Sequence, residues 1–300
     1  CNALTSLDIS EFDTADVTDF SGMFSGCSSI LYLDVSDFNT QRATNMSKMF
    51  HYMNSLKNLD VSKFDTKLVT DMSCMFQYCH EVGVLDVSNF VTNNVINMMC
   101  MFDECKKLSK LEIDNFETSK VSNFSHMFTG INKINYLDVS KFDTRNALDM
   151  SYMFRGCYAI TSLDVSNFDT SLVTDMQSMF SGTNLRNLDL TSFDTKNVVN
   201  MEAMFYDNYY LNELNISKFD TSKVTNMYQM FDHSSQLKKL DLRHFNTKNV
   251  ADMSAMFQEC YGLTSLDISS FDTSLVKYMN LMFKGCHELT EIDVSKFKTP

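Results

Sequence analysis

The pair Met-Phe recurs along the whole chain at a nearly fixed interval, and this periodicity limits the folds that the chain can adopt. The step is 26 residues, with a single step of 25. The eleven pairs begin at Met23, Met49, Met75, Met101, Met127, Met153, Met179, Met204, Met230, Met256 and Met282. Repeats of this size are supersecondary units that bury their apolar faces only by stacking on one another. The sequence therefore predicts a solenoid and not a domain with one central core.

Alignment on this period gives twelve near-copies of the line L-x-x-L-D-V-S-x-F-D-T-x-x-V-T-D-M-S-x-M-F-x-G-C-x-x. All 25 Phe fall in three of its columns, and of the 22 Met only Met53 and Met99 lie outside the repeated Met and Phe columns. We therefore predict a single repeat array over residues 1–300. Because both ends stop inside a repeat, we expect the array to come from a longer protein that carries the terminal caps.

Each repeat is predicted to contain one strand and one short helix. Leu7, Ile9 and Phe12 point inward and alternate with polar residues, which is typical of a half-buried strand. The apolar residues from Val17 to Cys27 are spaced by three, three, one and three positions, which favours one side of a helix. The predicted fold class is an α/β solenoid of about twelve repeats, with a parallel sheet on one face and short helices or helical arcs on the other.

A threonine occupies the same column of every repeat, from Thr14 to Thr299. This column lies at the predicted junction between strand and helix, where the threonine hydroxyl or the neighbouring Asp13 is placed to cap the free amides of a helix. Capping is therefore the predicted role. The alternative is a regular row of hydroxyls that faces ordered water or ice.

The spacing L-x-x-L-x-V in a 26-residue period, as at Leu56, Leu59 and Val61, resembles the leucine-rich repeat. The recurrent Leu-Asp-Val-Ser-x-Phe-Asp-Thr and Met-Phe-x-Gly-Cys segments narrow this resemblance to the BspA-like leucine-rich repeat surface proteins, and it covers the whole chain. The resemblance implies a secreted or cell-surface protein that binds other macromolecules, often in adhesion. Phe12 and its column stand where leucine-rich repeats usually carry asparagine, so we expect a phenylalanine spine in place of an asparagine ladder.

The charge balance argues against nucleic acid as a partner. The net charge is −13 and the isoelectric point is near 4.8, whereas nucleic-acid binding requires lysine and arginine to neutralise phosphates. No run of about 18 apolar residues is present, so we expect no direct membrane insertion of this fragment. No signal sequence is recognisable at the start, and we expect the signal and the anchor to lie elsewhere in the parent protein. The expected location is extracellular, at the cell surface.

Seven of the nine cysteines share one column: Cys1, Cys27, Cys79, Cys105, Cys157, Cys260 and Cys286. The other occupants of this column are apolar or small polar residues. Such a mixture suits a half-buried packing position, so free buried thiols are the favoured interpretation. Disulfides between neighbouring repeats, such as Cys79 with Cys105 or Cys74 with Cys100, remain an alternative because about 5 Å separates adjacent parallel strands. No C-x-x-C or C-x-x-H spacing appears, so no metal site is predicted.

An acidic column follows the second leucine of each repeat: Asp8, Asp34, Asp60, Asp86, Glu112, Asp138, Asp164, Asp189, Asn215, Asp241, Asp267 and Asp293. In the favoured interpretation each carboxylate accepts hydrogen bonds from a nearby serine hydroxyl or turn amide. The alternatives are a row of cation sites or an acidic strip that attracts a basic partner. The column two residues earlier is variable, as a binding face would be. The candidate binding residues are Asp34, Asp60, Asp86, Asp138, Asp164, Asp189, Tyr32 and Tyr136.

Catalysis is not predicted, because the six histidines are scattered over several repeat columns and form no Ser-His-Asp or Cys-His grouping. No cofactor is predicted either. The favoured function is a recognition or adhesion module that binds a protein or glycan ligand, on another cell or in the matrix, through the acidic and variable strand face. The alternative is a structural spacer, or a self-associating element of a surface layer or filament.

Overall fold

The computed structural model of the protein describes residues 1–298, and its contacts divide the chain into two compact units. The first unit comprises Cys1–Asn146 with Gly156–Ile160, and the second comprises Ala147–Arg155 with Thr161–Pro300. Both units are built from coils, each coil being one passage of the chain through the repeat line. Backbone hydrogen bonds join equivalent positions of neighbouring coils within each unit. A repeat solenoid, predicted from the periodicity, is therefore the fold of each unit.

The predicted strands are present in the second unit as two short parallel pairs. β1 (Asn187–Asp189) pairs with β2 (Glu213–Asn215), and β3 (Lys239–Leu240) pairs with β4 (Ser265–Leu266). The partners are equivalent residues of neighbouring repeats, so the predicted in-register parallel arrangement is confirmed for these strands.

In the first unit the same column forms single parallel bridges, which join Tyr32 to Asn58 and Val84 to Lys110. The residues that the structure describes therefore contain four strands, and the predicted count of twelve is not confirmed. Pairing within each coil is restricted to two or three residues because the chain turns immediately afterwards.

Three aspartate or asparagine turns bend the chain in the first coil. Oδ1 of Asp8, Asp13 and Asp19 each accepts the backbone N–H two residues further on, at 3.1, 3.0 and 2.8 Å. Such a bond lets the side chain replace one residue of a backbone turn. Most later coils repeat all three turns, which explains why aspartate and asparagine occupy these columns.

No helix occurs in residues 1–298, so the predicted helices and helical arcs are not confirmed. The Met-Phe segment forms successive turns instead. In one such segment the N–H groups of Met75, Gln77 and Cys79 donate to carbonyls three residues back in the same coil. The intervening N–H groups of Cys74 and Phe76 donate to the next coil, at 2.7 and 3.0 Å.

This alternation depends on a positive φ at every fourth residue of the Met-Phe segment. Cys74 has a φ of 55° and Tyr78 a φ of 61°, and the equivalent positions are Gly22 and Gly26 in the first coil. A positive φ at its third residue is what a type II turn requires, and it prevents the chain from continuing as an α-helix. The amides that point to the next coil then hold the two coils together.

Stacked phenylalanine rings run through the core of each unit. Phe50, Phe76 and Phe102 of consecutive coils have ring centroids 5.7 and 5.8 Å apart, with planes within 10° of parallel. Rings of the Phe12 column pack against this stack, as Phe64 does against Phe50 at 6.4 Å. The phenylalanine spine expected from the sequence is thus present, but the Met-Phe column forms its closest stack.

The described threonines of the Thr14 column are buried and join neighbouring coils. Oγ1 of Thr66 accepts the N–H of Val91 at 2.7 Å and donates to the carbonyl of the same residue at 3.0 Å. The predicted helix-capping role is therefore wrong, because the described residues contain no helix to cap. The alternative of a water-facing or ice-facing row is also wrong, since Thr66 is fully buried. Thr299 lies outside the described residues.

Candidate functional site

The strand face is the surface formed by two columns of the coils. One is the acidic column that begins at Asp8, and the other is the variable column two residues before it. Large side chains of the variable column extend into solvent. Tyr32 is 60 % exposed, Val84 is 62 % exposed and Tyr136 is 66 % exposed. The alternating leucines and valines beneath them are buried. The strand periodicity fixes this orientation, because successive side chains of an extended segment point to opposite sides.

The acidic side chains of the strand face close the turn that follows the strand. Oδ1 of Asp60 accepts both the backbone N–H and the hydroxyl of Ser62, at 2.9 and 2.6 Å, and Asp86 does the same with Ser88 at 3.0 and 2.6 Å. The backbone bond recurs at Asp8, Asp34, Asp138, Asp164, Asp189, Asp241, Asp267 and Asp293. The structural role favoured from the sequence is therefore confirmed.

The negative charge is not needed for this turn. Asn215 occupies the same column and its Oδ1 accepts the N–H of Ser217 at 3.3 Å. Glu112, whose longer side chain departs from the column, forms an ion pair with Lys110 at 2.9 Å. The abundance of aspartate over asparagine in this column is thus not explained by turn formation alone.

Asp60 and Asp86 each keep one oxygen for solvent or for a partner, whereas both oxygens of Asp241 are engaged, the second by Arg243 at 2.7 Å. Among the residues that the structure describes, no group donates a hydrogen bond to Oδ2 of Asp60 or Asp86. The hydroxyls and backbone N–H groups of Ser62 and Ser88 hold the pKa of both carboxyls below the ordinary value of 3.8. Both groups are therefore charged at neutral pH.

A groove on the strand face of the first unit has a volume of about 480 Å³. Its floor is apolar, since Leu111, Ile113 and Ile134 lie beneath it and are almost completely buried. Tyr136 stands at its side, and its polar lining residues are Ser109, Lys110, Glu112, Asp114, Asn135 and Asp138. The groove lies where strand pairing is interrupted, because Lys110 bridges to Val84 but to no residue of the Tyr136 segment within the described chain.

A second groove, of about 510 Å³, lies on the strand face of the second unit. It is lined by β1, β2 and the adjacent residues Asn212, Lys238 and Lys239. No pairing between β2 and β3 is found in the described part of the chain, so this groove also accompanies a gap between paired strands.

The grooves include part of the predicted binding set. Tyr136 and Asp138 line the first groove, Asp189 lines the second, and Asp86 lines a smaller groove of about 110 Å³ in the first unit. The remaining predicted residues lie elsewhere on the strand face: Tyr32, Asp34, Asp60 and Asp164. The sequence analysis missed the groove residues Ile134 and Asn135. No sequence signal marked them, because Ile134 stands in a column that Ile30 and Ile160 also occupy.

All nine cysteines are free, so the favoured interpretation of unpaired thiols is confirmed. Sγ of Cys79 donates to the carbonyl of Phe50 at 3.2 Å, and Cys157 donates to Phe128 at 3.1 Å. Ser234 stands in the same column and its hydroxyl makes the equivalent bond at 3.0 Å. Most coils thus place a small hydrogen-bond donor at this position, whereas the apolar Met53 and Ile131 fill it by packing alone.

Within residues 1–298 no group of three or more His, Cys, Asp or Glu side chains is arranged to hold a metal ion. The same residues include no helix with the length and hydropathy needed to cross a bilayer.

The repeat line also matches a known family. The model of the family described as "Mycoplasma protein of unknown function, DUF285" matches residues 1–110, 80–180, 149–261 and 236–300. The chain belongs to this family. No curated protein sequence matches the chain.

The comparison with solved structures finds similarity to leucine-rich repeat proteins. A leucine-rich repeat protein from Bacteroides ovatus is 17 % identical, with a TM-score of 0.52 over 93 % of this chain and 70 % of that chain. The functional domain of InlJ from Listeria monocytogenes, described as including a cysteine ladder, is 22 % identical with a TM-score of 0.46. The match covers 99 % of this chain and 60 % of the InlJ chain, so this chain spans less than two thirds of InlJ.

A leucine-rich cell surface protein from Faecalibacterium prausnitzii is 14 % identical with a TM-score of 0.47, over 93 % of this chain and 76 % of that chain. The Bacteroides structure establishes the leucine-rich repeat fold for this family member. The resemblance to BspA-like leucine-rich repeat surface proteins, predicted from the repeat line, is confirmed.

Proposed function

We propose that the chain is a non-catalytic recognition module of a secreted or cell-surface protein, and that it binds a protein or glycan partner through the strand face. The observation that carries this proposal is the groove of the first unit, where an apolar floor, the exposed ring of Tyr136 and charges of both signs meet. Binding sites combine apolar surface, which supplies affinity, with a few polar groups that fix orientation.

Tyr136 is suited to be the central contact of this surface. Its ring is rigid and largely exposed, and tyrosine is among the residues that contribute most to binding when a partner covers them. The neighbouring ion pair of Lys110 and Glu112 is exposed on both sides, so it contributes little to folding and its charges remain open to a partner.

The acidic column adds long-range attraction for basic groups. One oxygen of each turn aspartate is engaged by the fold, while Oδ2 of Asp60 and Asp86 points to no protein donor in the described chain. Rows of like charge on a protein of net charge −13 raise the association rate of a basic partner, and this effect weakens with salt.

The histidines support a non-catalytic role. His51 Nδ1 contacts the hydroxyl of Ser25 at 3.0 Å in the first unit, and His233 Nδ1 contacts Asp232 at 2.6 Å in the second unit. Neither pair alone is a Ser-His-Asp arrangement, and neither belongs to the strand-face grooves.

The experiment is a binding screen against immobilised matrix proteins and cell-surface glycans, with three forms of the chain. The test variant carries Asp34→Asn, Asp60→Asn and Asp86→Asn. Asparagine keeps the turn, as Asn215 shows, so the variant loses charge and retains its fold.

The control variant carries Asp13→Asn, Asp65→Asn and Asp143→Asn. These aspartates close the same kind of turn in a different column, so an equal charge is removed outside the strand face. We expect saturable binding by the wild type and the control, and at least tenfold weaker binding by the test variant. Equal loss in both variants would show a nonspecific charge effect. No binding by a folded wild type would favour the structural spacer.

A further inference from the structure

Cys74 and Cys100 occupy equivalent positions of consecutive coils in the first unit, on the Met-Phe segment and not in the main cysteine column. Their coils are held in register on both sides of the pair: Met72 donates to Asn97 at 3.1 Å and Phe76 donates to Met101 at 3.0 Å. Cys74 itself donates its N–H to Met99 at 2.7 Å. Coils joined in this way lie about 4.8 Å apart, within the Cα range that a disulfide spans.

The two side chains leave their coils in the same direction. Cys74 has a φ of 55° and Cys100 a φ of 56°, so the two backbones have nearly the same local conformation. The two side chains therefore approach each other, and their thiols interact directly.

The interaction between the two thiols favours Cys74 as the nucleophile. The neighbouring Cys100 thiol lowers the pKa of Cys74 and Lys48 of the preceding coil lowers it further, against burial and the charges of Asp103 and Asp71. The pKa of Cys100 is raised by its interaction with Cys74 and by burial. One low-pKa thiol beside a second thiol is the arrangement found in oxidisable dithiols.

All four cysteines of these two coils are buried, and the second pair is buried more completely. Cys79 and Cys105 lie five residues further on, and each is 1 % exposed, against 4 % for Cys74 and 8 % for Cys100. Both donate Sγ to a backbone carbonyl at 3.2 Å, and burial raises the pKa of Cys79 to about 12. Coil spacing is common to both pairs, so any difference in reactivity reports the local environment of the thiols.

We propose that Cys74 and Cys100 are an oxidisable dithiol, a modification site at which a small aliphatic disulfide forms a covalent link between two consecutive coils. The Cys74 thiolate attacks one sulfur of the small disulfide, whose S–S bond breaks and releases one small thiol. The Cys100 sulfur then attacks the mixed disulfide at Cys74 and releases the second small thiol. The protein loses two electrons and two protons, and both are taken up by the two small thiols.

The bond requires a modest local movement. Cβ atoms joined by a disulfide are about 3.8 Å apart, about 1 Å closer than the spacing of the coils. The pair lies on the Met-Phe segment, away from the strand-face columns. Oxidation therefore leaves the proposed binding surface unchanged, and the inference stands whether or not the strand face binds a partner.

The test treats the full chain with oxidised glutathione under native conditions, blocks the remaining thiols after denaturation, and maps the disulfides by mass spectrometry of a digest. We expect a single cross-link, between Cys74 and Cys100, which removes two of the nine thiols, while glutathione on the exposed Cys1 is counted as a separate adduct in the same digest. Dithiothreitol should restore both thiols. The variant Cys100→Ser should stop at the mixed disulfide and carry one glutathione at Cys74.

The pair Cys79 and Cys105 is the matched control in the same sample. A cross-link at Cys79 and Cys105 in equal yield would show that proximity of the coils suffices, and it would overturn the proposal. The absence of any cross-link in a chain whose circular dichroism shows it to be folded would overturn it as well. Neither result depends on the variant, so the proposal remains testable if Cys100→Ser fails to fold.

Discussion

The change Thr66→Val removes one buried hydroxyl without changing the volume of the side chain. In the structure this hydroxyl accepts the N–H of Val91 and donates to the carbonyl of Val91, and Thr66 is 0 % exposed. Valine offers neither bond. The buried N–H of Val91, in the next coil, then has no hydrogen-bond acceptor. Water cannot take the place of the hydroxyl unless the two coils separate locally.

The expected cost follows from these two bonds. An unsatisfied buried N–H costs about 1 to 3 kcal/mol, and loss of the bond to the carbonyl adds about 0.5 to 1.5 kcal/mol. We therefore expect the free energy of unfolding to fall by about 2 to 4 kcal/mol. Thr70→Val is the matched control, because the Thr70 hydroxyl is exposed. The carbonyl of Thr44, which accepts this hydroxyl, still accepts the backbone N–H of Thr70 in the variant. We expect the free energy of unfolding of Thr70→Val to change by less than about 0.5 kcal/mol.

The measurement is urea unfolding followed by circular dichroism, with hydrogen exchange of the Val91 amide as a local readout. We expect faster exchange at Val91 in Thr66→Val and unchanged exchange in Thr70→Val. A further variant, Thr66→Asn, separates the two roles considered for this threonine. Asparagine is as good a helix cap as threonine, so a capping role predicts no loss, whereas the buried bridge predicts destabilisation. Less than 1 kcal/mol lost in Thr66→Val, with Val91 still protected, would refute the reasoning.

Three further outcomes are expected. Gly22→Ala should destabilise the fold by about 1 kcal/mol, because the φ of Gly22 is 62°. Gly83→Ala is the control, since Gly83 does not have a positive φ and no atom lies within 4 Å of the added methyl group. It should be neutral or stabilising in the same thermal melts. Asp60→Ala should lower the melting temperature and Asp60→Asn should not, because only alanine abolishes the turn; equal effects of the two would contradict the turn role. Acid should destabilise the protein, because the strand-face carboxyls have a pKa below 3.8 in the folded state. Their contribution to the free energy of unfolding is complete above pH 3.8 and is lost as the pH falls through the folded pKa. A urea midpoint that is the same at about pH 6 and about pH 2 would contradict this prediction.

The acidic column shows what can be predicted from residue types alone. Aspartate followed two residues later by serine is the sequence of a side-chain turn, so the hydrogen bond between Asp60 and Ser62 could be predicted from the sequence. The same local chemistry operates in any fold, and for this reason the prediction did not depend on tertiary contacts. What the sequence did not show is that one carboxylate oxygen remains free.

The helix prediction failed because spacing alone does not distinguish a helix from successive turns. Val17, Phe20, Met23 and Phe24 lie on one side of either structure, since both turn the chain about once in three or four residues. The choice between them depends on where alternate amides find their acceptors. Here they find them in the next coil, as Phe24 does at Met49, which a reading of one repeat does not reveal.

The grooves required the structure for a related reason. Tyr136 was predicted as a contact from its column, but the gap beside it arises because the coil that contains Ile134 does not continue the strand pairing of Lys110 in the described chain. Such a gap is a relation between two coils. The sequence there keeps the spacing and the apolar columns of the repeat line, so it shows neither the gap nor its lining.

The sequence by itself determined the repeat architecture, the inward columns, the parallel register and the turn aspartates, because each follows from periodicity or from bonds within a few residues. Only the tertiary structure decided that the Met-Phe segment is a series of turns, that the threonines bridge coils, and that the thiols of Cys74 and Cys100 interact. These features rest on contacts between residues about one repeat apart, and the energy of such contacts depends on the geometry of two coils together.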